Sequence, residues 1–158
     1  MRCHVTFPAL AIAFLATGCG SKSVWVAPEA YAVADPVVVA TVPDSMWPAI
    51  IDVVTELELE IELISRASGY LKTDRIVVPF REDHWDCGHF LENSRSEPYA
   101  PKQVEAEIGI AIVPLGDGQS RLQATTYLLN ESCVSRGVFE AELLDSIVTR
   151  WKELSGRL

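Results

Sequence analysis

Apolar positions change period several times along the 158-residue chain, and each change marks an element. Val37-Val38-Val39-Ala40-Thr41-Val42 is a β-branched run and predicts a first strand. Pro43-Asp44-Ser45 breaks it and offers side-chain oxygens to cap a helix, while Pro48 suits a first helical turn, where its missing N–H is not needed. Trp47, Ile50, Ile51, Val54 and Leu57 then recur at helical spacing, one apolar face. From Leu57 to Leu63 the pattern switches to strict alternation. Leu59, Ile61 and Leu63 fall on one face and Glu58, Glu60 and Glu62 on the other, so a half-buried strand is predicted. Ser68-Gly69 makes a turn, and residues 70–78 return as the next strand. Residues 81–103 read as a long polar connection containing Pro98 and Pro101. A connection of this length is usually functional, stapled or disordered. Val104, Ala106, Ile108, Ile110 and Ile112 alternate, a turn follows at Gly116-Asp117-Gly118, and Leu122, Ala124, Thr126 and Leu128 alternate as the partner strand. Ser135 can cap a final helix whose stripe is Phe139, Leu143, Ile147, Trp151 and Leu154, widened by Leu144 and Val148. The order β-α-β-β-β-β-α predicts an α+β fold, with an antiparallel sheet packed against the long C-terminal helix.

Ahead of this domain lies a different kind of segment. Met1 and Arg2 precede an apolar run through Phe14 and Leu15, too short to span a bilayer as a helix. Ala16, Thr17 and Gly18 are small, and Cys19 follows. Residues 1–18 read as a signal peptide, and the residues around Cys19 resemble a bacterial lipobox. That resemblance implies that Cys19 becomes the lipidated first residue of the mature protein, bearing diacylglycerol and an N-acyl chain such as palmitate. An ordinary secretory signal would leave Cys19 a bystander. Gly20 follows in place of an aspartate, which by analogy with enterobacterial sorting points to the outer membrane, facing the periplasm. Residues 19–36, with Pro28 and no steady period, read as the lipidated N-terminus and a tether, and residues 37–158 as a single domain. Trp25 and Tyr31 are unusual in a linker, and docking on their own domain is the simplest use for them.

Charge narrows the partners. The formal net charge is −9, and losing the leader, whose only charged residue is Arg2, makes it one unit more negative. Such a surface is repelled by phosphate backbones, and no basic stripe is present, so nucleic-acid binding is excluded as an expectation. Of 4 cysteines, Cys3 leaves with the leader and Cys19 takes lipid. Cys87 and Cys133 remain as a pair in an oxidising compartment, which predicts a disulfide between them.

The element order, with Trp47 early in the first helix and Ser68-Gly69-Tyr70-Leu71-Lys72-Thr73 at the first hairpin, resembles the helix-grip domains of BamC-like lipoproteins. The resemblance covers residues 37–158 and the lipobox, with one domain here against two in the best-known member. It implies a helix-grip fold, an envelope location and a role beside the outer-membrane β-barrel assembly machinery.

Chemistry-bearing residues concentrate in the long connection: Glu82, Asp83, His84, Asp86, Cys87 and His89. These types bind zinc, and a thiolate beside a histidine can act as a nucleophile. Their spacing matches no strong metal motif, and the disulfide offers Cys87 a simpler fate. Glu58, Glu60 and Glu62 read as a solvated strand face, and Gly116-Asp117-Gly118 as a hairpin turn, since strand pattern resumes where a phosphate loop would open a helix. We therefore expect no catalytic residue, no metal and no cofactor. The expectation is a non-enzymatic accessory or scaffold protein that binds another envelope protein and is attached to the membrane through lipid on Cys19. The alternatives are a helix-grip module for a small molecule or lipid, and a thiol or zinc enzyme.

Overall fold

The computed structural model describes residues 23–29, 34–92, 95–130 and 132–156. In chain order they form β1 (Val24–Val26), β2 (Val37–Val39), α1 (Trp47–Glu56), β3 (Ile61–Ser65), β4 (Tyr70–Thr73), β5 (Ile76–Pro79), β6 (Trp85–Asp86), β7 (His89–Glu92), β8 (Arg95–Pro98), β9 (Gln103–Gly116), β10 (Gln119–Leu128), β11 (Val134–Ser135) and α2 (Val138–Leu154). The fold is mixed α+β, with antiparallel pairing between the described strands and a C-terminal helix. The signal peptide and Cys19 lie outside the described residues, as does Tyr31. Among the described residues no helix is long and apolar enough to cross a membrane.

The main sheet runs β2-β10-β9-β4-β3. At 14 residues, β9 takes two partners in succession on one edge, β4 opposite residues 109–111 and β5 opposite residues 103–106. The predicted strand over 70–78 is thus two strands broken at Asp74-Arg75. At the break, the Thr73 hydroxyl accepts a hydrogen bond from the Ile108 N–H at 3.0 Å. One sheet face carries the alternating Ile108, Ile110 and Ile112 of β9 with Leu122 and Ala124 of β10, and the two helices lie on it. From α1 it receives Trp47, Ile50, Val53 and Val54, and from α2 Leu143, Leu144, Ile147 and Trp151. Both helical stripes lose their last predicted member, since Leu57 and Leu154 stay exposed at the helix ends.

Two caps differ from expectation. Pro43–Ser45 form a 3-10 turn, and α1 begins after Met46 without a side-chain cap, with Pro48 in its first turn as predicted. Gly137, at φ 80°, is the N-cap of α2. Ser135 instead sits in β11, where its hydroxyl accepts from the Gly137 N–H and donates to Glu140.

The strict alternation of residues 57–63 does not survive folding. The register slips between Ile61 and Leu63, so Ile61 and Ile64 oppose Thr73 and Leu71 while Leu63 opposes Lys72. Leu63 is therefore on the outer face with the glutamates. As an edge strand β3 leaves Ile61, Leu63 and Ile64 exposed, and only Leu59 packs partly into the core. One extra residue in a strand inverts the facing of everything beyond it.

The expected long connection is also structured. It supplies β6, β7 and β8, and Val24–Val26, placed in the tether by sequence, pairs with β7. The result is a second sheet, β1-β7-β8, while β6 pairs with β11 over two residues. Trp25 docks on its own domain, donating from Nε1 to the Cys87 carbonyl at 3.4 Å. Gly88 is at φ +77°, where a Cβ would lie 2.3 Å from the Val26 carbonyl oxygen, so β1 can close only over a glycine.

Candidate functional site

The stretch that sequence singled out for chemistry is split by the fold. Cys87 is joined to Cys133, closing a separation of 46 residues. Both sulfurs are buried in a second apolar cluster with Trp85 and Val104, against which Val78, Phe80, Leu128 and Phe139 pack. The bond clamps the short β6–β11 pair and ties the long connection to the start of α2. Asp86 is engaged elsewhere in the fold: one carboxylate oxygen accepts from the Gly88 N–H at 2.8 Å, and the other lies 3.6 Å from the Arg136 guanidinium. His89 opposes Val26 in the second sheet. Among the described residues no three His, Cys, Asp or Glu side chains come together as metal ligands.

His84 is the member of the group that faces a cavity. Its side chain is buried against Trp85 (centroids 5.7 Å, edge-on) and Phe139 (6.1 Å), and Trp85 and Phe139 are themselves 5.9 Å apart. Beside this aromatic trio lies a pocket of about 180 Å³, lined by Ile76, Val78 and Pro79 of β5, Arg81, His84, Trp85, Thr126 of β10 and Phe139 of α2. It opens where the first turn of α2 meets the sheet. Three of these residues carry a buried polar atom without a hydrogen-bond partner: His84 Nε2, Trp85 Nε1 and Thr126 Oγ1. Carboxylate oxygens of Glu142 and Asp83 stand 3.5 and 3.9 Å from His84 Nε2, beyond good hydrogen-bond geometry. At the rim Arg81 binds Asp83 (2.7 Å), which holds the Asp83 carboxyl below its ordinary range and the guanidinium above its own.

Next to this pocket, bonded to Thr126 of its wall, sits a buried carboxylate. Glu140 is buried, accepting from the Thr126 N–H at 3.1 Å and from the Ser135 hydroxyl at 2.8 Å. The reason lies in the sheet. Among the described residues strand β2 covers only residues 120–122 of β10, and beyond them the first turn of α2 supplies a carboxylate to the Thr126 N–H. The signal was present in the helical period, since Glu140 lies on the face shared by Leu143, Leu144, Ile147 and Trp151.

On the opposite, solvent side of the sheet Lys72 bridges Glu62 (2.7 Å) and Glu107 (2.9 Å), and both carboxylates hold its ammonium protonated well beyond the ordinary lysine range. Thus Glu62, one of the alternating glutamates, pairs with a lysine. Alongside, Tyr70 and Tyr127 close over Gly109, where a Cβ would lie 2.9 Å from the Tyr70 hydroxyl. Burial first, then the neighbouring Tyr127 hydroxyl, raises the Tyr70 pKa above 10.0. Two wider hollows are polar by comparison: one between α1 and α2, crossed by the Arg150–Glu56 ion pair, and one beside Arg66 and Asp44.

No family model matches the chain, and no curated protein matches it. Among solved structures it is similar to a conserved protein from Geobacillus kaustophilus, at 14% identity over 77% of this chain and 93% of that one, with a TM-score of 0.33. A likeness at that level carries no argument about fold or function.

Proposed function

We propose that this chain is a lipid-anchored accessory protein of the cell envelope, facing the periplasm from the outer membrane, that acts by binding another envelope protein and not by catalysis. The observation that carries the reading is the bond between Cys87 and Cys133. A buried disulfide belongs to an oxidising compartment, which agrees with the leader and with Cys19. It also occupies the one cysteine that a thiol or zinc mechanism would need, leaving the long connection with structural work. In this reading the sheet with its long C-terminal helix is a helix-grip domain of the BamC-like kind, and assembly of outer-membrane barrels is the process it would serve. The test is a crosslinked pull-down of the full-length protein from gently solubilised membranes, with partners identified by mass spectrometry. Specific recovery of an envelope complex supports the proposal. A protein that crosslinks to nothing, or that retains Cys19 unmodified by intact mass, overturns it.

A second reading has its own observation, the pocket between α2 and the sheet. Its walls are mainly aliphatic and aromatic, with Arg81, His84 and Thr126 among them, and its 180 Å³ exceeds the ~150 Å³ in which an apolar cavity holds benzene. It suits a small apolar molecule or the apolar end of a larger one. Native mass spectrometry of the domain from cells would show a bound mass, and Phe139→Ala, which removes one wall, would release it.

A further inference from the structure

The sheet β1-β7-β8 concentrates exposed apolar side chains out of proportion to its size. Val24, Trp25, Phe90, Leu91 and, just after β8, Tyr99 are all exposed, although the strands have only 3, 4 and 4 residues. Trp25 lies beside Phe90 across the strands, and Phe90 meets Tyr99 edge-on at 5.8 Å. On the other face Val24 lies beside Leu91. Trp25, Phe90 and Tyr99 thus form one aromatic face of the ribbon, and an exposed group of this kind on a small protein marks a surface that something covers.

The register says what lies next to it. β1 runs antiparallel to β7, so its first residue, Val24, opposes Leu91 near the end of β7, while Val26 opposes His89 next to Gly88 and the disulfide. The end of β1 nearest Cys19 is therefore the ribbon's far tip, not its root on the domain. Val24 follows Cys19 by five positions. At ~3.4 Å per extended residue, its Cα lies within about 17 Å of that of Cys19, so the tether keeps this end of β1 close to the bilayer surface.

We infer that the β1-β7-β8 ribbon lies in the membrane interface, with Trp25, Phe90 and Tyr99 at headgroup depth, so that the domain stands against the bilayer in one orientation. Tryptophan and tyrosine are enriched in that layer; Trp25, whose N–H is held by the Cys87 carbonyl, offers its ring, and Tyr99 joins a ring to a polar tip. Zwitterionic lipid is the committed occupant: the full chain carries a net charge of −9, and loss of the leader's Arg2 makes it more negative, so anionic headgroups would repel it and apolar contact must do the holding. The inference rests on acylation of Cys19.

The tryptophans provide the probe. Trp47, Trp85 and Trp151 are 0, 2 and 7 % exposed, against 40 % for Trp25. A quencher confined to lipid therefore reads Trp25 alone. Full-length acylated protein, its acylation checked by intact mass, is reconstituted into phosphatidylcholine vesicles with brominated acyl chains. The expected result is loss of the emission of one tryptophan in 4, unchanged by salt, absent in Trp25→Phe and reduced in Leu91→Ser. Acylated, vesicle-bound protein with unquenched Trp25 overturns the inference and leaves the anchor standing, as does crosslinking of Phe90 or Leu91 to a second copy or another protein. Quenching that persists in Trp25→Phe also overturns it. An unmodified Cys19 removes both.

Discussion

Breaking the Cys87–Cys133 bond should cost this domain a large share of its stability. The bond closes a separation of 46 residues, and loop-closure entropy of the unfolded chain assigns such a link about 4 kcal/mol at room temperature. Domains of this size are stable by about 5–15 kcal/mol. Reduction is the cleaner perturbation, because two buried thiols retain nearly the volume of the disulfide and the small apolar character of cysteine. The Cys87→Ala/Cys133→Ala pair checks it without reductant. With a urea slope of about 1.5 kcal/mol per molar, the unfolding midpoint should fall by about 2–3 M. The slope itself should rise, since an uncrosslinked unfolded chain exposes more surface. Hydrogen exchange should place the earliest loss of protection at β6, β7 and the first turn of α2, the parts joined by the bond and by the two-residue β6–β11 pair. The amides of Ile108 and Ile110, in the main core, should hold longest. A midpoint shift below about 0.5 M at constant slope would refute the reasoning. It would mean either that the cysteines are not bonded or that the unfolded chain is already held together across this loop.

Further outcomes follow from other parts of the structure. Glu140→Leu should destabilise by about 1–3 kcal/mol, because it leaves the Thr126 N–H buried without an acceptor; Glu140→Gln, which keeps one acceptor oxygen, should recover part of that in a thermal melt. Gly109→Ala should cost about 1–2 kcal/mol by driving Tyr70 and Tyr127 apart, and should bring the Tyr70 titration back toward 10.0 in an ultraviolet absorbance titration. The Tyr70 and Lys72 pKa values are both raised in the folded state, so the folded protein binds these protons more tightly than the unfolded chain. Their contribution is complete below pH 10 and is lost as pH rises above it, so urea midpoints measured upward from that pH should fall, and less steeply in Lys72→Met. Cys19→Ala should abolish incorporation of labelled palmitate and release the protein from membranes; retention of the label would locate acylation elsewhere.

Periodic patterns settled most of the main domain. The stripes of α1 and α2 and the alternation of β9 and β10 each place many side chains on one face, and stacking those faces buries them together. The Cys87–Cys133 pair followed from counting, on the expectation that Cys3 leaves with a leader and Cys19 takes lipid. Tertiary structure decided whatever turns on a single residue or a distant partner. The bulge in β3 moves Leu63 to the outer face, and nothing in Leu57-Glu58-Leu59-Glu60-Ile61-Glu62-Leu63 marks it, because a slip of register is set by the neighbouring strand. The burial of Glu140 depends on where β2 stops covering β10. The pocket and the β1-β7-β8 ribbon join segments far apart in the chain: Trp25 reaches the Cys87 carbonyl, and Phe139 reaches Trp85. Period and composition report how a segment meets a surface. Which surface it meets is decided only when the remote segments are packed and their unpaired backbone groups have found partners.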